Sequence, residues 1–539
     1  MSTRAAAQSE TSVEGARGGV VAGGEMDNYL RYLQTMGKVP LAAWGLRPFS
    51  AAEVDSLTTA TGRHPWANTW MFRKDSARHF SVLPVAVTER FNSAFPFGSN
   101  NNGVWVGRGL TSEIQAGVAA AWGPVTLVLN PMVFRAENTA FGLQPNGQSG
   151  AGQFANGDLP NYVDLPQRFG NTEYSRFDWG QSTLRLDLHG ITMGVGSANQ
   201  YWGPASVFPA LLGNNAAGIP HVFLGTQGPT NVGVGHVQAR LVYGIETQSN
   251  FSPVTGSTTF QSVDQSGTRR FMSALVVTFS PAPIPGLEIG AARFFHQAWL
   301  GRVGASELTT PFEGLLKNSL SPGVAVPGGG NQDALKNQLA SLFGRWVLPH
   351  SGFELYAEYA HEDHNADLRD LEEEPDHSRV AMAGFRKVFI HSDSSFGALR
   401  AEYIDASEPT LGRHRVEGGI YVHNILLQGH TQDGQLLGAD IGVGSPAAAS
   451  LAWEEYSPSG RNTLYLQRIV QNNQADLFTS RGSPSGAAHL YATAGFERHR
   501  FGRLADLTYG AALTQGKRGP SLGRETNLSA MIGLTAHVR

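Results

Sequence analysis

Cysteine is absent from all 539 residues, so disulfides, thiolate zinc sites and cysteine nucleophiles are excluded together. Charge is scarce as well: Asp, Glu, Lys and Arg make up 16% of the chain, against roughly 25% in an ordinary soluble domain. The 40 basic and 44 acidic residues leave a net charge of −4, which is not the surface of a dedicated nucleic-acid binder. No stretch of about 18 consecutive apolar residues occurs, which excludes crossing a membrane by helices. Crossing by strands stays open, because a barrel strand shows lipid only every second residue and escapes a hydropathy window. An export signal is also missing from residues 1–24, which lack an apolar core. There Ala5-Ala6-Ala7-Gln8 reads as the remnant of a cleavage site, so the signal peptide is expected to be absent or truncated.

What the chain does hold is strand and turn material: 65 glycines, 41% hydrophobic and 10% aromatic residues. Residues 1–24 are small and polar and predict a disordered leader. A small helical element follows over residues 25–75. Tyr29, Leu30, Leu33 and Met36 recur at helical spacing before Gly37, and Ser50-Ala-Ala-Glu53 forms a capping box with Phe49 and Val54 as its hydrophobic staple. The spacing therefore predicts helices over 26–36 and 50–59, lying at the periplasmic rim of something larger.

From about His79 onward, in a domain spanning 76–539, the period changes to two. Leu184, Leu186 and Leu188 alternate with Arg185, Asp187 and His189, and Leu241, Tyr243 and Ile245 with Arg240 and Glu246. Leu355, Ala357 and Tyr359 alternate with Glu354, Tyr356 and Glu358, and Leu399 and Ala401 with Arg400 and Glu402. A soluble sandwich would also alternate. Arg and Glu in the middle of strands instead suit a polar lumen, with Leu, Ala and aromatics facing lipid. About 460 residues at roughly 25 per strand and connection predict about 16 to 20 strands. The long connections 136–181, 302–338 and 363–378 belong to one rim, and 333–342 reads as a short helix within one of them. The lone pairs Gly194/Gly196 and Gly442/Gly444 read as turns or bulges.

Four stretches stand out: Phe91-Asn-Ser-Ala-Phe-Pro-Phe-Gly98 running on to Trp105-Val-Gly-Arg108-Gly-Leu-Thr111; Asn199-Gln-Tyr-Trp202-Gly-Pro204 running on to Leu211-Leu-Gly-Asn214-Asn215; Glu358 to Arg379; and Gly429-His430-Thr-Gln-Asp-Gly-Gln435. With the N-terminal helices and Pro40-Leu-Ala-Ala-Trp44, they resemble the Wzi capsule-assembly family of Gram-negative outer-membrane proteins from about Asp27 onward. The resemblance implies an 18-stranded antiparallel barrel in the outer membrane, a periplasmic helical element, a lumen filled by folded loops, and a lectin-like role in attaching capsular polysaccharide. One departure is the C-terminus, His537-Val538-Arg539, where such barrels usually end on an aromatic residue.

On the residues alone, Tyr201 and Trp202 offer ring faces to sugars, while Asn214 and Asn215 offer amides that both donate and accept. Arg369, Arg379 and His430 add cationic groups that would draw an acidic polymer. Equally, Trp202 packs an internal plug and the asparagines stabilise turns. His361-Glu362-Asp363-His364 contains ligand types, but strand alternation sends them to opposite faces, so no metal is expected. No nucleophile elbow or phosphate loop occurs, and neither catalytic residue nor cofactor is expected. The reading is a monomeric, non-enzymatic outer-membrane barrel whose partners are surface polysaccharide and lipid. The alternative is a porin-like solute channel.

Overall fold

The computed structural model describes residues 20–49, 53–54, 57, 78–251, 269–299, 301–313, 336–362, 372, 376, 378–407, 419–423, 426–471, 488–502 and 504–536. These form a closed antiparallel barrel of 18 strands. The first nine are β1 (Arg78–Asn92), β2 (Gly109–Trp122), β3 (Val125–Leu129 and Met132–Ala136), β4 (Tyr174–Asp178 and Thr183–Leu188), β5 (Ile191–Gly196), β6 (His221–Thr226), β7 (Gly235–Thr247), β8 (Arg269–Pro281) and β9 (Leu287–Ala298). The second nine are β10 (Lys336–Leu348), β11 (Phe353–Glu362), β12 (Arg379–Ser392), β13 (Ser395–Asp405), β14 (Ala447–Ser457), β15 (Gly460–Gln471), β16 (His489–Arg500), β17 (Ala505–Lys517) and β18 (Arg524–Ala536). Each strand pairs with its sequence neighbours, and β18 returns to β1 with Ala536 opposite Val85 and Ser529 opposite Asn92. Closure leaves no unpaired edge.

Connections alternate in length. Between β2 and β3, β4 and β5, β12 and β13, or β14 and β15 the chain turns in two residues. At the opposite end lie the long segments 93–108, 137–173, 197–220 and 406–446. The outward face carries exposed Leu184, Leu451, Leu464, Leu466, Leu513, Leu528 and Ile532, the apolar girdle that lipid requires. Inward-facing Arg185, Arg240, Glu288, Arg345, Glu354, Arg386 and Glu402 are buried rather than wet.

What buries them is a plug. Residues from 199–217 and 420–443, including Trp202, Phe208, Leu211, Tyr421, Leu436 and Ile441, form one hydrophobic core with inward side chains of β7 to β13. Leu46 and Arg47 pair antiparallel with Trp202 and Tyr201, stitching the N-terminal segment to this plug. The plug also explains why 336–342 is strand and not the short helix expected over 333–342. In β10 Leu339 and Phe343 pack inward on the plug and Val347 is buried on the same face, while Leu342 and Trp346 face out. Apolar residues then occupy both faces, beside the inward Ser341 and Arg345, and the period of two disappears from the sequence.

Helix α1 (Glu25–Thr35) agrees with the expected 26–36 within a residue. It sits inside the wall at the short-turn end. Arg31 is ion-paired with Glu354 on β11, Thr35 Oγ1 donates to the same carboxylate at 3.1 Å, and Arg345 Nη2 donates to Gln34 at 2.5 Å. Its buried Asp27, Arg31, Gln34 and Thr35 need partners that only the wall and the adjoining chain supply. On its apolar side Tyr29 and Tyr32 pack against Phe396 and Tyr456, with ring centroids 5.4 to 6.5 Å apart. Of the second expected helix, Glu53, Val54 and Leu57 are described. Glu53 accepts a 2.5 Å hydrogen bond from Gln238 on β7. Ser50 of the capping box, residues 1–19 of the expected leader and the boundary near 76 lie outside the described residues, but the last part of that leader is ordered, with Val20 and Ala22 buried.

Candidate functional site

Wall carboxylates hold the plug by its backbone. Glu402 on β13 accepts from the amides of Ser206, Val207 and Phe208 at 2.8, 2.9 and 2.5 Å and from the Tyr356 hydroxyl at 2.9 Å. Glu288 on β9 accepts from the amides of Trp44 and Gly45, each at 2.7 Å, and Glu362 accepts from the Tyr421 amide. On the carbonyl side, Arg270 donates to Gly429 O at 2.5 Å and to Thr431 O at 2.6 Å. These irregular segments have few backbone partners of their own, so the alternating lumen charges satisfy them. Gly203, with φ +81°, shows how close the fit is: a Cβ there would stand 2.6 Å from the Glu358 carboxylate.

Five of the seven residues singled out in the sequence meet in this plug. Trp202 is fully buried and donates its amide to Leu212 O at 3.1 Å. Tyr201 is fully buried with the Arg47 guanidinium 4.0 Å over its ring. Asn214 Nδ2 donates to Ala22 O at 3.3 Å and Asn215 Nδ2 to Leu436 O at 3.0 Å, while their own carbonyls receive the amides of Asn102 and Gly103 at 2.7 and 3.0 Å. Neither asparagine has a left-handed backbone. Arg379 instead begins β12 on the wall, 3.9 Å from Asp405. Arg369 lies outside the described residues. Gly442 and Gly444 take turn conformations with φ +88° and +83°. Gly194 and Gly196 lie within β5, where a Cβ on Gly194 would meet the Phe223 ring at 2.7 Å.

His430 ends a relay from plug to wall. Its Nε2 donates to Leu211 O at 2.5 Å, which leaves Nδ1 to accept from His296 Nε2 at 2.8 Å. His296 Nδ1 in turn stands 2.7 Å from Glu246, so one proton is shared between that nitrogen and the carboxylate. Burial, reinforced by the neighbouring His296, pushes His430 from 6.5 down to about 3. A depressed histidine stabilises the fold above its unfolded value and loses that contribution as pH falls, because the unfolded chain takes up a proton the plug refuses. Burial pushes Asp164 the other way, from 3.8 up to about 6, against two hydrogen bonds from Ser249. Its contribution is present below 3.8 and fades as pH rises through 6. Between about pH 7 and 4, wild type should therefore lose more stability than His430→Gln, which can still accept from His296 and donate to Leu211. Unfolding midpoints in detergent read this, and parallel pH curves would refute it.

The plug does not fill the lumen. An open cavity of about 800 Å³ remains along the inner faces of β1 and β14 to β18. It runs from Arg461 and Glu497, near the short turns, to His489 and Arg518 at the opposite ends of their strands. Asn214 and Asn215 reach its lining from the plug side. Sequence reasoning missed most of this surface. Phe95 and Trp105 belong to stretches already noted, but Gln467, Tyr491 and Met531 are alternate residues of three different strands with no motif between them. Among the described residues no group of three or more His, Asp or Glu side chains is placed to hold a metal ion.

The sequence profile of the family described as capsule assembly protein Wzi matches residues 92–511. The chain belongs to the Wzi capsule-assembly family. Among solved structures, Wzi of Escherichia coli is similar to this chain with 14% identity and a TM-score of 0.61, covering 95% of this chain and 98% of that one. That protein is described as an outer-membrane protein involved in group 1 capsule assembly and as a carbohydrate-binding β-barrel. OprD of Pseudomonas aeruginosa is more distant, at 8% identity and a TM-score of 0.38, covering 85% of this chain and 94% of its own. OccAB3 of Acinetobacter baumannii is similar at 8% identity and a TM-score of 0.40, covering 84% and 98%. A search of curated protein sequences found no match. The family and the barrel place this chain in the outer membrane, where short turns face the periplasm and long loops the exterior.

Proposed function

We propose that this barrel attaches capsular polysaccharide to the cell surface by non-covalent, lectin-like binding, without chemistry on the polymer. The observation that carries this is the plugged lumen with an open cavity lined by amides and aromatic rings, the surfaces that sugar hydroxyls and ring C–H groups require. Asn214 and Asn215 are the contact residues in this reading. Tyr201, Trp202 and His430 hold the plug behind them, and Arg379 belongs to the outer end of the barrel wall. A single chain closes the barrel on itself, so a monomer suffices, with polymer and membrane lipid as its partners.

Deleting the protein from an encapsulated cell should shift polymer from the cell pellet to the medium. Unchanged cell-bound polymer would refute attachment. A porin-like channel would instead show large steady openings in a planar bilayer, whereas the plugged barrel should pass little current.

A further inference from the structure

The arginines around the cavity are already committed. Arg461 is paired with Glu25 and Glu497, and Arg90 with Glu113 at 2.6 Å. Arg400 lies 3.5 Å from Glu454, Arg518 2.8 Å from Glu525, and His489 3.4 Å from Asp158. Arg518 is also held between the rings of Phe95 and Phe141, its guanidinium 5.3 Å from each. Among the described residues that line the cavity, each arginine already faces a carboxylate, and only the His489 imidazole, 3.4 Å from Asp158, makes no hydrogen bond through its Nε2. The charged group without a partner among them is a carboxylate, Asp440. Three further polar atoms of residues lining it are buried without a hydrogen-bond partner: the Trp105 indole Nε1, the Asn100 Oδ1 and the His489 Nε2. Gln467 on β15 faces the same space.

A carboxylate accepts from both hydroxyls of a vicinal diol, an indole N–H donates to a ring or hydroxyl oxygen, and amides do both. An acidic sugar would bring its charge into a cavity that holds the unpaired Asp440 carboxylate and whose arginines are all paired already. Resting on the attachment reading above, we propose that the cavity takes an uncharged stretch of polysaccharide, built of neutral hexose or N-acetylhexosamine units, held on Asp440, Trp105 and Gln467. Recognition of this kind is made of hydrogen bonds and ring contacts, so it is insensitive to salt, unlike attraction between exposed charges. It differs from the capture of an acidic polymer by Arg369 and Arg379 that the sequence suggests.

The test uses the full-length protein in detergent, probed with an array of neutral hexose and N-acetylhexosamine oligomers and of uronic-acid oligomers, at low and high sodium chloride. Neutral oligomers should bind with affinity changing less than about twofold across the salt range, and uronates at least about tenfold more weakly. Asp440→Asn and Trp105→Phe should each weaken neutral binding by roughly tenfold, and Gln467→Trp, which fills the cavity, should abolish it. Heat-modifiable migration checks that each variant is folded. If Gln467→Trp does not fold, the two conservative variants carry the test. Tighter uronate binding that falls with salt, or neutral binding unchanged in folded variants, would overturn the proposal while leaving attachment standing. If neither class binds and cells without the protein keep their polymer, attachment fails as well.

Discussion

Glu354→Ala should destabilise the plugged barrel by about 3 to 5 kcal/mol, the cost of stranding buried cations by removing their partner. Glu354 is fully buried on β11 and receives Arg31 Nε at 2.7 Å, Arg345 Nε at 2.9 Å and Thr35 Oγ1 at 3.1 Å. Without it, Arg31 keeps a long contact to Ser206 at 3.4 Å and the Tyr356 ring 4.8 Å from its guanidinium, and Arg345 a 3.8 Å approach to Glu288 beside its bonds to Gln34 and Ala42 O. Helix α1 should then leave the lumen first, since its polar face is satisfied there, while the strand ladder stays intact. Limited proteolysis near residues 25–35 and the unfolding midpoint read the two effects separately. Adding Arg31→Met should restore part of the loss, because the stranded charge and not the missing carboxylate carries the cost. Wild-type protection and midpoint in Glu354→Ala would contradict this account of how the helix is held.

The second large effect lies on the other face. Leu466 is central in β15, 56% exposed, with Leu451 and Ala494 opposite it on the neighbouring strands. An arginine at the bilayer midplane of a barrel costs about 2 to 4 kcal/mol. Leu466→Arg should lower the unfolding midpoint in lipid accordingly, and Leu466→Phe should leave it nearly unchanged. If the two variants behave alike, this band of the wall does not face hydrocarbon.

The plug motifs 199–215 and 429–435 were visible as unusual sequence, and the structure brings them together: Gly213 donates to Leu437 O at 2.9 Å, and Leu437 in turn donates to His430 O at 3.1 Å. Their burial was not legible. Aromatics beside asparagines read alike on a sugar-binding loop and in a plug core, and the difference lies in what surrounds them. Arg379 joins neither, because as the first residue of β12 its side alternates with Val380, and Val380 takes the inward position. The cavity was beyond local reading altogether, being composed of alternate residues on separate strands.

By itself the sequence determined the barrel, the lipid face of the strands that alternate, and the first helix, because backbone sterics make side-chain direction repeat every second residue in a strand and every 3.6 in a helix. Those signals are local and survive without partners. Which loops turn inward, which carboxylate receives which amide and where space is left were decided only by tertiary structure. Arg31 meets Glu354 across 323 residues of chain, and a pairing of that kind exists only after the barrel has closed and desolvation forces each buried charge to find a partner.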